Sequence, residues 1–471
     1  MGNRYLVVSD LHLVDIEDHD DGWMYHKSSK YVFDDQFDGL VERFKEQAAA
    51  GDRLTLVLNG DVFDFDIVTA VPDDPPWKVS SAERQRGLDP TEDKSAWKLE
   101  LILADHRPFL ATLARFISEG HHVVLTMGNH DRELHFPKVK KVLLDTLEEV
   151  AREEELSLVQ GSITVEPWFY YVPGEIYAEH GGQYDHYTSF KHQLAPEIEV
   201  RGEKMLALPM GDLSNRWLLN RMGYFNPHAG DFILNFFAYA SHWFRHYAFS
   251  KRNLVLAWFF GSIRVVMECF AIKKRLHKPS PENMERLDQV ARKYDLSQQE
   301  IFALGMLQRQ PITQRFYWLV RELWIDRVVL AAVLIGGTVA LALVPIPLWI
   351  KLMVPLSSFP LLVFIYESLA KGETIFTIEK EIPKRARAVS RMLPARVVTF
   401  GHTHVPRQIP LSRDTNFVDT GTWAPITTKK KPKRLVQGYR NYLQVCFERK
   451  EVSIILGSWM EPDDEDERSS G

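Results

Sequence analysis

The stretch LTLVLNGDVFDFD at residues 54–66 joins a mostly apolar run to a glycine and three aspartates. A short apolar run that is bounded by turn residues is typical of a buried strand. Gly60 lets the backbone turn tightly behind this strand, and Asp61 follows the turn directly. The stretch therefore predicts a buried strand that delivers a carboxylate to the edge of a sheet.

The sequence on both sides of this stretch alternates apolar runs with segments of helical period. A strand is predicted at residues 5–8, and the spacing of Phe37, Leu40, Val41 and Phe44 predicts a helix after it. An apolar stripe over residues 99–117 then precedes further predicted strands. These strands lie at 122–125, 162–165, 175–179, 397–400, 417–419, 442–447 and 452–456. Such alternation is typical of an α/β protein with a layered sheet.

Length and composition indicate a folded protein that is larger than one average domain. The chain has 471 residues and a formal net charge of -6, which says little about partners, and no nucleic-acid partner is expected. Its two cysteines, Cys269 and Cys446, are too few for a disulfide framework or a thiolate metal cluster. No signal-peptide pattern precedes the first motif, so we expect the catalytic part to be cytoplasmic.

Five short motifs follow predicted strands in chain order. They are Asp10-Leu11-His12, Gly60-Asp61-Val62-Phe63-Asp64, Gly128-Asn129-His130-Asp131, His180-Gly181-Gly182 and Gly401-His402-Thr403-His404. Ligand sites in α/β sheets collect where strands end at their carboxyl edge. We therefore expect the five motifs to meet in one place.

The side chains of these motifs suit divalent cations. Carboxylate, amide carbonyl and imidazole groups together favour Mn, Fe, Zn or Ni over a metal that is held by thiolates. The predicted ligands are Asp10, His12, Asp61 and His404 for one ion, and Asp61, Asn129, His180 and His402 for the other. With Asp61 as the bridge, the two ions would lie roughly 3.5–4 Å apart.

The ordered set of motifs resembles the calcineurin-like metallophosphoesterase superfamily. The pattern of that superfamily is Asp-x-His, Gly-Asp-x-x-Asp, Gly-Asn-His-Asp/Glu, a lone His and Gly-His-x-His, and every position is filled in this chain. The resemblance implies a four-layer α-β-β-α sandwich and two divalent metal ions, of which manganese is favoured. It also implies hydrolysis of a phosphate ester or anhydride by a metal-bound hydroxide.

The resemblance further implies roles for three side chains that are not metal ligands. His130 is expected to act near the leaving-group oxygen as an acid or an electrostatic stabiliser. Asp131 is expected to orient His130, and Asp64 is expected to support the metal ligands.

Two histidines have alternative interpretations. The ligand expected from the fourth motif is His180, but Glu179, Asp185 and His186 are competing candidates within a few positions. His106 lies in register with the apolar stripe, so we expect it to be a packed or capping histidine.

The chain is predicted to consist of a catalytic domain with a large insertion. Sequence of the family type covers residues 1–183 and 395–458, whereas residues 184–394 are predicted to form a helical insertion. An acidic tail is predicted at 459–471.

The insertion contains an apolar block at about 328–368 that matters for function. Its segments 328–350 and 352–366 carry no charged side chain, and about 18 such residues are enough for a candidate membrane span. Two such segments predict a hairpin that enters a bilayer. A buried helical hairpin or a dimer contact is the alternative.

The sequence is compatible with three functions. The first is a membrane-associated phosphoesterase that acts on an amphipathic substrate such as a lipid-linked pyrophosphate, since the chain is distantly similar to UDP-2,3-diacylglucosamine hydrolases. It departs from many of those enzymes because His130 stands where they have arginine. The second is a soluble nucleotide phosphodiesterase or nuclease. The third is a non-catalytic membrane-anchored scaffold, although such scaffolds usually lose metal ligands.

Overall fold

The computed structural model describes residues 2–224, 226–227, 244, 254–276, 280–369, 378–427, 435–436, 439–448 and 451–459. These residues contain two large β-sheets that stack face to face and carry helices on their outer faces. The predicted acidic tail lies outside the described residues, apart from Trp459.

The first sheet has six strands in the order β15-β14-β1-β2-β3-β4. Their bounds are Asn3–Val8 for β1, Arg53–Asn59 for β2, His122–Thr126 for β3, Ile163–Glu166 for β4, Asn441–Glu448 for β14 and Glu451–Ser458 for β15. Strands β1 to β4 are parallel, whereas β14 pairs antiparallel with β1. The last strands of the chain therefore complete a sheet that begins at its N-terminus.

The second sheet has five strands in the order β10-β11-β9-β6-β5. Their bounds are Phe169–Val172 for β5, Ile176–Glu179 for β6, Val397–Phe400 for β9, Arg407–Pro410 for β10 and Asn416–Asp419 for β11. Strand β9 is parallel to both β6 and β11. Residues 184–394 lie between β6 and β9 in the chain. Because these two strands are neighbours in the sheet, the chain leaves the sheet after β6 and returns to it beside β6.

Apolar side chains from the facing sides of the two sheets form the inter-sheet core. They include Tyr5, Val7, Val57 and Val124 from the first sheet and Ile176, Ala178, Val397 and Val418 from the second. Each strand also turns alternate side chains to its outer face, where helices cover them. The sequence of these strands is apolar on both faces for this reason.

Helices form the two outer layers. Residues of Asp34–Glu46 (α1), Glu92–Asp105 (α3), Arg107–Ser118 (α4) and Pro137–Glu153 (α5) cover the first sheet, and the short helix Glu83–Arg86 (α2) precedes α3. Residues of Pro281–Lys293 (α8), Gln298–Met306 (α9) and Ile378–Met392 (α13) cover the second sheet. The predicted four-layer α-β-β-α arrangement is confirmed.

The range that was predicted to be helical also contains a β-hairpin. Apart from the three helices on the second sheet, the strands and α-helices of this range are Glu197–Val200 (β7), Glu203–Leu206 (β8), Met210–Trp217 (α6), Leu254–Arg275 (α7), Phe316–Glu322 (α10), Ile325–Leu343 (α11) and Leu348–Leu369 (α12). Strands β7 and β8 pair antiparallel with each other. A further small ladder joins Ile426–Thr427 (β12) to Leu435–Val436 (β13).

The predicted apolar stripe over 99–117 is two helices rather than one. The chain changes direction at His106, between α3 and α4. Its buried ring lies 3.0 Å from Asp34 through Nδ1 and 2.9 Å from the Val14 carbonyl oxygen through Nε2. His106 therefore packs and caps at the helix junction.

Helices α11 and α12 form the apolar hairpin, with a turn at residues 344–347. Both have a mean hydropathy of 1.9 over spans of 19 residues, Ile325–Leu343 and Leu348–Tyr366, and are long and apolar enough to cross a membrane. Among the residues that the structure describes, neither span is buried against other parts of the protein. The hairpin thus presents its apolar side chains outward.

Candidate metal centre

Five loops that follow strands of both sheets converge at one edge of the sandwich. Their chemically important residues are Asp10 and His12 after β1, Asp61 after β2, Asn129 and His130 after β3, His180 after β6, and His402 and His404 after β9. The carboxyl ends of parallel strands meet at the same edge of a sheet. All seven predicted metal-ligating side chains therefore come together.

The first group of potential ligands consists of Asp10, His12 and His404. The Nε2 atom of His404 lies 3.2 Å from Asp10 Oδ1 and 3.3 Å from His12 Nε2. The other ring nitrogen of His12 lies 3.1 Å from Asp64 Oδ2. Asp64 thereby fixes the ring of His12 with its Nε2 atom directed at the group.

The second group consists of Asp61, His180 and His402. The Nε2 atom of His180 lies 3.0 Å from Asp61 Oδ2 and 3.3 Å from Asn129 Oδ1. Within each group the potential ligand atoms all lie within 4.8 Å of one another. Buried carboxylates, imidazoles and an amide oxygen at such distances fit divalent cations.

The backbone at this site has positive φ angles, which residues other than glycine rarely adopt. Five of the seven predicted ligands have positive φ angles, namely Asp10 (53°), His12 (51°), Asp61 (50°), His402 (70°) and His404 (57°). Such residues cluster at functional sites, where the surrounding structure enforces them. The strained loops aim these side chains at a common centre.

Two glycines of the motifs make room for the buried carboxylates. A Cβ atom at Gly128 would lie 2.0 Å from Asp61 Oδ1, and one at Gly401 would lie 2.5 Å from Asp10 Oδ2. No larger residue fits at either position without displacing a predicted ligand. Close approach to the predicted ligands therefore explains these two glycines.

The electrostatics of the site favour negative charge on Asp61. Burial opposes that charge, but His180 and His130 hold the pKa of Asp61 well below its ordinary value. Burial likewise opposes a charged His180, yet Asp61 and Asp10 raise the pKa of His180 to about 9. A bound cation would displace the proton of His180, because ligand histidines must be deprotonated.

His130 lies at the rim of the two groups and faces two carboxylates. Its Nδ1 atom is 3.2 Å from Asp64 Oδ1 and 3.5 Å from Asp66 Oδ2. Burial lowers the pKa of His130, but Asp64, Asp61 and Asp66 outweigh burial and raise it well above its ordinary value. The backbone N–H of His130 donates to Asp61 Oδ1 at 2.8 Å, which ties the residue to the metal centre.

Asp131 does not have the position that the sequence predicted for it. Its carboxylate accepts hydrogen bonds from the backbone N–H groups of Gly128, at 2.6 Å, and Val62, at 2.8 Å. These bonds fix two ligand loops to each other instead of orienting His130. The orienting position belongs to Asp64 and Asp66, because the loop after β2 runs beside the His130 ring.

The alternatives to His180 have other partners. Glu179 accepts hydrogen bonds from Trp168, Tyr177 and Tyr184 at 2.7–2.8 Å, so it is a buried structural carboxylate. Asp185 lies 3.2 Å from His402 Nε2 through its Oδ2 atom, which places it beside the second group. His180 is the candidate that reaches Asp61.

Sequence patterns missed two buried aspartates near the centre. Asp66 follows the Gly60 motif and contacts His130. Because aspartate recurs after Gly60 at intervals of two or three residues, the sequence carried a usable signal for Asp66. Asp212 lies on α6, far away in sequence, and accepts a hydrogen bond from Asn129 Nδ2 at 3.4 Å. No local pattern points from Asp212 to the site.

Comparison with known families agrees with this geometry. The family model for calcineurin-like phosphoesterases matches residues 3–261, more than half of the chain. A comparison with curated proteins gives no match. The family implies a hydrolase of phosphate esters, and the grouped histidines and carboxylates indicate that it needs divalent metal ions. By its motifs, its layers and this match, the chain belongs to the calcineurin-like phosphoesterase family.

Proposed function

We propose that the protein hydrolyses a phosphate ester or anhydride with two divalent metal ions. Manganese is the metal that we favour. The observation that carries the proposal is the position of Asp61. This carboxylate belongs to one group with His180 and His402 and to another with His12 and His130. A carboxylate shared between two sets of ligands is typical of two-metal phosphoesterases.

The residues present fit such a pair of cations. The ligands would be Asp10, His12, Asp61 and His404 for one ion and Asp61, Asn129, His180 and His402 for the other. Bound cations of this kind lower the pKa of water and neutralise charge on phosphoryl oxygens. The protein contributes rigid ligands, since Asp64 holds the ring of His12 and Asp185 lies beside His402.

His130 is the residue that we place at the leaving group. Its side chain is largely buried, and its Nδ1 atom faces the carboxylates of Asp64 and Asp66 at the edge of the metal centre. A ring N–H there would donate a hydrogen bond to the departing oxygen. Asp131 contributes indirectly, by holding the loops of Gly128 and Val62 together.

The first experiment measures manganese-dependent hydrolysis of bis(p-nitrophenyl) phosphate by the full chain. Chelation should abolish hydrolysis and added manganese should restore it. Asp61→Ala should lose roughly 10³-fold or more of the rate, since one carboxylate that serves both cations is worth several kcal/mol. Asp145→Ala, on the exposed face of α5, is the matched control. Metal-dependent hydrolysis at the wild-type rate in Asp61→Ala contradicts the proposal.

The exposed apolar hairpin supports an amphipathic substrate, such as a lipid-linked pyrophosphate, at the cytoplasmic face of a membrane. Apolar patches of this extent on a protein surface mark protein or membrane contacts, and each helix is long enough to span a bilayer. The distant similarity to UDP-2,3-diacylglucosamine hydrolases favours the same class of substrate. Because all predicted ligands are retained, a non-catalytic scaffold is disfavoured.

Cell fractionation separates this substrate class from a soluble nucleotide phosphodiesterase or nuclease. Active protein that resists carbonate and is released by detergent supports action at a membrane. Active protein in the soluble fraction contradicts membrane attachment, makes the hairpin a contact between protein chains, and favours nucleotide substrates.

A further inference from the structure

The ring of His402, a predicted ligand of the second cation, contacts neighbouring side chains through its Nε2 atom. This atom lies 3.2 Å from Asp185 Oδ2 and 3.4 Å from Thr188 Oγ1. The backbone N–H of His402 points at both carboxylate oxygens of Asp10, at 3.1 Å. His402 is therefore held at its backbone and at one ring nitrogen.

Both neighbours of the Nε2 atom are acceptors of hydrogen bonds. The carboxylate of Asp185 has no proton to donate. The hydroxyl of Thr188 donates its hydrogen to the carbonyl oxygen of Gly182 at 2.9 Å, so only its lone pairs face the ring. A neutral imidazole carries one proton, and these acceptors attract it to Nε2. The lone pair for a cation is then on the Nδ1 atom of His402.

Two other predicted ligands also have one ring nitrogen at an acceptor. The Nδ1 atom of His12 lies 3.1 Å from Asp64 Oδ2, and the Nδ1 atom of His180 lies 3.3 Å from the carbonyl oxygen of Asn59. Metal-ligating histidines usually donate their second ring N–H to a carboxylate or a carbonyl group. The ring of His402 follows the same rule with its two nitrogens exchanged.

The carboxylate of Asp185 is fixed by the loop that carries it, residues 182–189, which we call the Asp185 loop. Its Oδ1 atom accepts a hydrogen bond from the backbone N–H of Tyr187 at 2.9 Å. The backbone carbonyl oxygen of Asp185 accepts a hydrogen bond from the N–H of Ser189, also at 2.9 Å. Because Oδ1 is used inside the loop, Oδ2 is the oxygen that faces His402.

A segment of the insertion range binds the Asp185 loop on both sides of Asp185. The backbone N–H of Arg309 donates to the carbonyl oxygen of Gln183 at 2.8 Å. The backbone N–H of Ile312 donates to the carbonyl oxygen of His186 at the same distance of 2.8 Å. These two bonds fix the loop immediately before and immediately after the carboxylate.

We call residues 309–314 the stem, because α10 and the apolar hairpin follow them in the chain. The stem is packed in the core of the protein, where Ile312 is 2% exposed and Thr313 is 6% exposed. The Nζ atom of Lys273, on α7, donates to the carbonyl oxygen of Gln314 at 2.8 Å. The stem is thus a fixed support for the Asp185 loop.

We propose that Asp185 is a positioning residue for His402 and that the stem holds Asp185 in place. The binding of the second cation then depends on the insertion range, although every predicted ligand belongs to the catalytic domain. This inference rests on the two-metal function proposed above. Outer partners of ligand histidines fix the tautomer and the direction of the ring, and their loss typically weakens metal binding about 10–100-fold.

Manganese binding to the metal-free full chain in non-ionic detergent tests the role of Asp185 without any turnover. Free manganese is measured by electron paramagnetic resonance, and wild type should bind two ions. Asp185→Ala should weaken one site about 10–100-fold and leave the other unchanged. Two sites that are both unchanged in Asp185→Ala overturn the positioning role and leave the proposed function standing. Fewer than two sites in wild type contradict the proposed function, and the positioning role fails with it.

A double-mutant cycle with His402 separates positioning from direct ligation. In the His402→Ala background Asp185 has no ring to position, so adding Asp185→Ala should cause no further loss of manganese binding. The titration is carried to concentrations that fill the weakened site. A further loss as large as that in wild type would mean that Asp185 binds the cation itself or supports only the fold, and it would overturn the proposal.

Ile312→Ala tests the stem, and Ile301→Ala is its matched control. Ile301 lies on α9 and is 3% exposed, so both variants remove the same side chain from equally buried positions of the insertion range. Both should lower the thermal midpoint of the metal-free protein, but only Ile312→Ala should weaken the second site, by about 2–30-fold. Valine at both positions provides the same comparison if an alanine variant does not fold. Equal manganese affinities in the matched pair overturn the role of the stem.

Discussion

The inter-sheet core and the apolar hairpin are built from the same kinds of side chain but differ in what covers them. Val57 and Val124 are fully buried between two sheets, whereas Leu343 is 82% exposed and Phe364 is 69% exposed. In the core, two opposed sheets cover each other's apolar faces. In the hairpin, the described residues of the protein provide no second layer.

Hydrophobic sequence therefore predicts where an element forms more reliably than what that element packs against. Both regions follow the expected periodicity, but an apolar surface as large as that of α11 and α12 is not stable in contact with water. Another apolar phase must cover it. We propose that this phase is a lipid bilayer, and the predictions below test the contrast between the two regions.

Charges placed in the hairpin should have the largest effect. Ile335→Arg combined with Leu356→Arg puts one charge near the middle of each helix, and each arginine costs about 2.5–3.5 kcal/mol at the centre of a bilayer. The variant should move from the detergent-released fraction to the carbonate-released fraction.

The matched control is Val159→Arg, at a position of the catalytic domain that is 49% exposed. It should fractionate like wild type. If the double variant still requires detergent, a bilayer does not cover the hairpin midpoints, and the contrast with the core needs another explanation.

Replacing His130 should impair chemistry without disturbing the layers. His130→Gln should reduce kcat about 10²-fold for substrates with poor leaving groups, since proton donation to the leaving oxygen contributes typically 10²–10⁴-fold. The loss should be smaller with p-nitrophenol as the leaving group, because that oxygen needs little protonation. Rates for a series of aryl phosphate esters provide the measurement.

His19→Gln, which alters a half-exposed histidine of the loop after β1, serves as the control. The same loss across all leaving groups would mean that the His130 side chain supports the site without protonating the leaving group.

Much of the metal centre was predictable because its ligands follow strands directly. Asp10, Asp61 and His402 each come within three residues of a strand end, so a correct strand prediction also locates them. The parallel arrangement then brings the ends together. The four layers followed from the same alternation of strands and helices.

Contacts that depend on loop geometry were not predictable. Asp131 was assigned to His130 because the two are adjacent, but its carboxylate turns to the N–H groups of Gly128 and Val62. That choice depends on how three loops lie relative to one another. The β7-β8 hairpin was missed because each strand has only four residues, and the sequence of β8, EKML, does not alternate apolar with polar residues.

Asp212, like Asp185, is a residue of the insertion range that lies beside a predicted metal ligand, and it belongs to the packed part of that range. Its carboxylate accepts from Asn129 Nδ2 and directs Oδ1 of Asn129 toward His180. Asp212→Ala should raise the manganese concentration for half-maximal activity about 10–100-fold, as other lost ligand supports do.

Asp212→Asn keeps an acceptor and should restore most of the affinity for manganese. A purely structural role would instead lower stability in both variants and leave the manganese dependence unchanged. Titration of activity with manganese, together with thermal denaturation of the metal-free protein, separates these cases.

The smallest effect is expected at the contact between the β7-β8 hairpin and the catalytic layers. Glu197 on β7 lies 2.9 Å from His135 Nε2 and 3.1 Å from Lys204 Nζ. The hydrogen bond from His135 and the charge of Lys204 lower the pKa of Glu197 to about 2, against an ordinary value of 4.5. Because the folded-state pKa is depressed, the stabilisation is complete above about pH 4.5 and disappears as the pH falls to about 2.

Glu197→Gln should therefore lower the free energy of unfolding by about 1 kcal/mol or less at pH 7, after allowance for solvent screening. The difference from wild type should shrink below pH 4.5, as urea titrations at several pH values would measure. Glu203→Gln, on the exposed strand β8, is the control. A difference that persists unchanged at pH 2 would show that Glu197 stabilises the contact by packing and not by charge. Apolar contacts would then hold the β7-β8 hairpin on the catalytic layers, as apolar contacts hold the two sheets together.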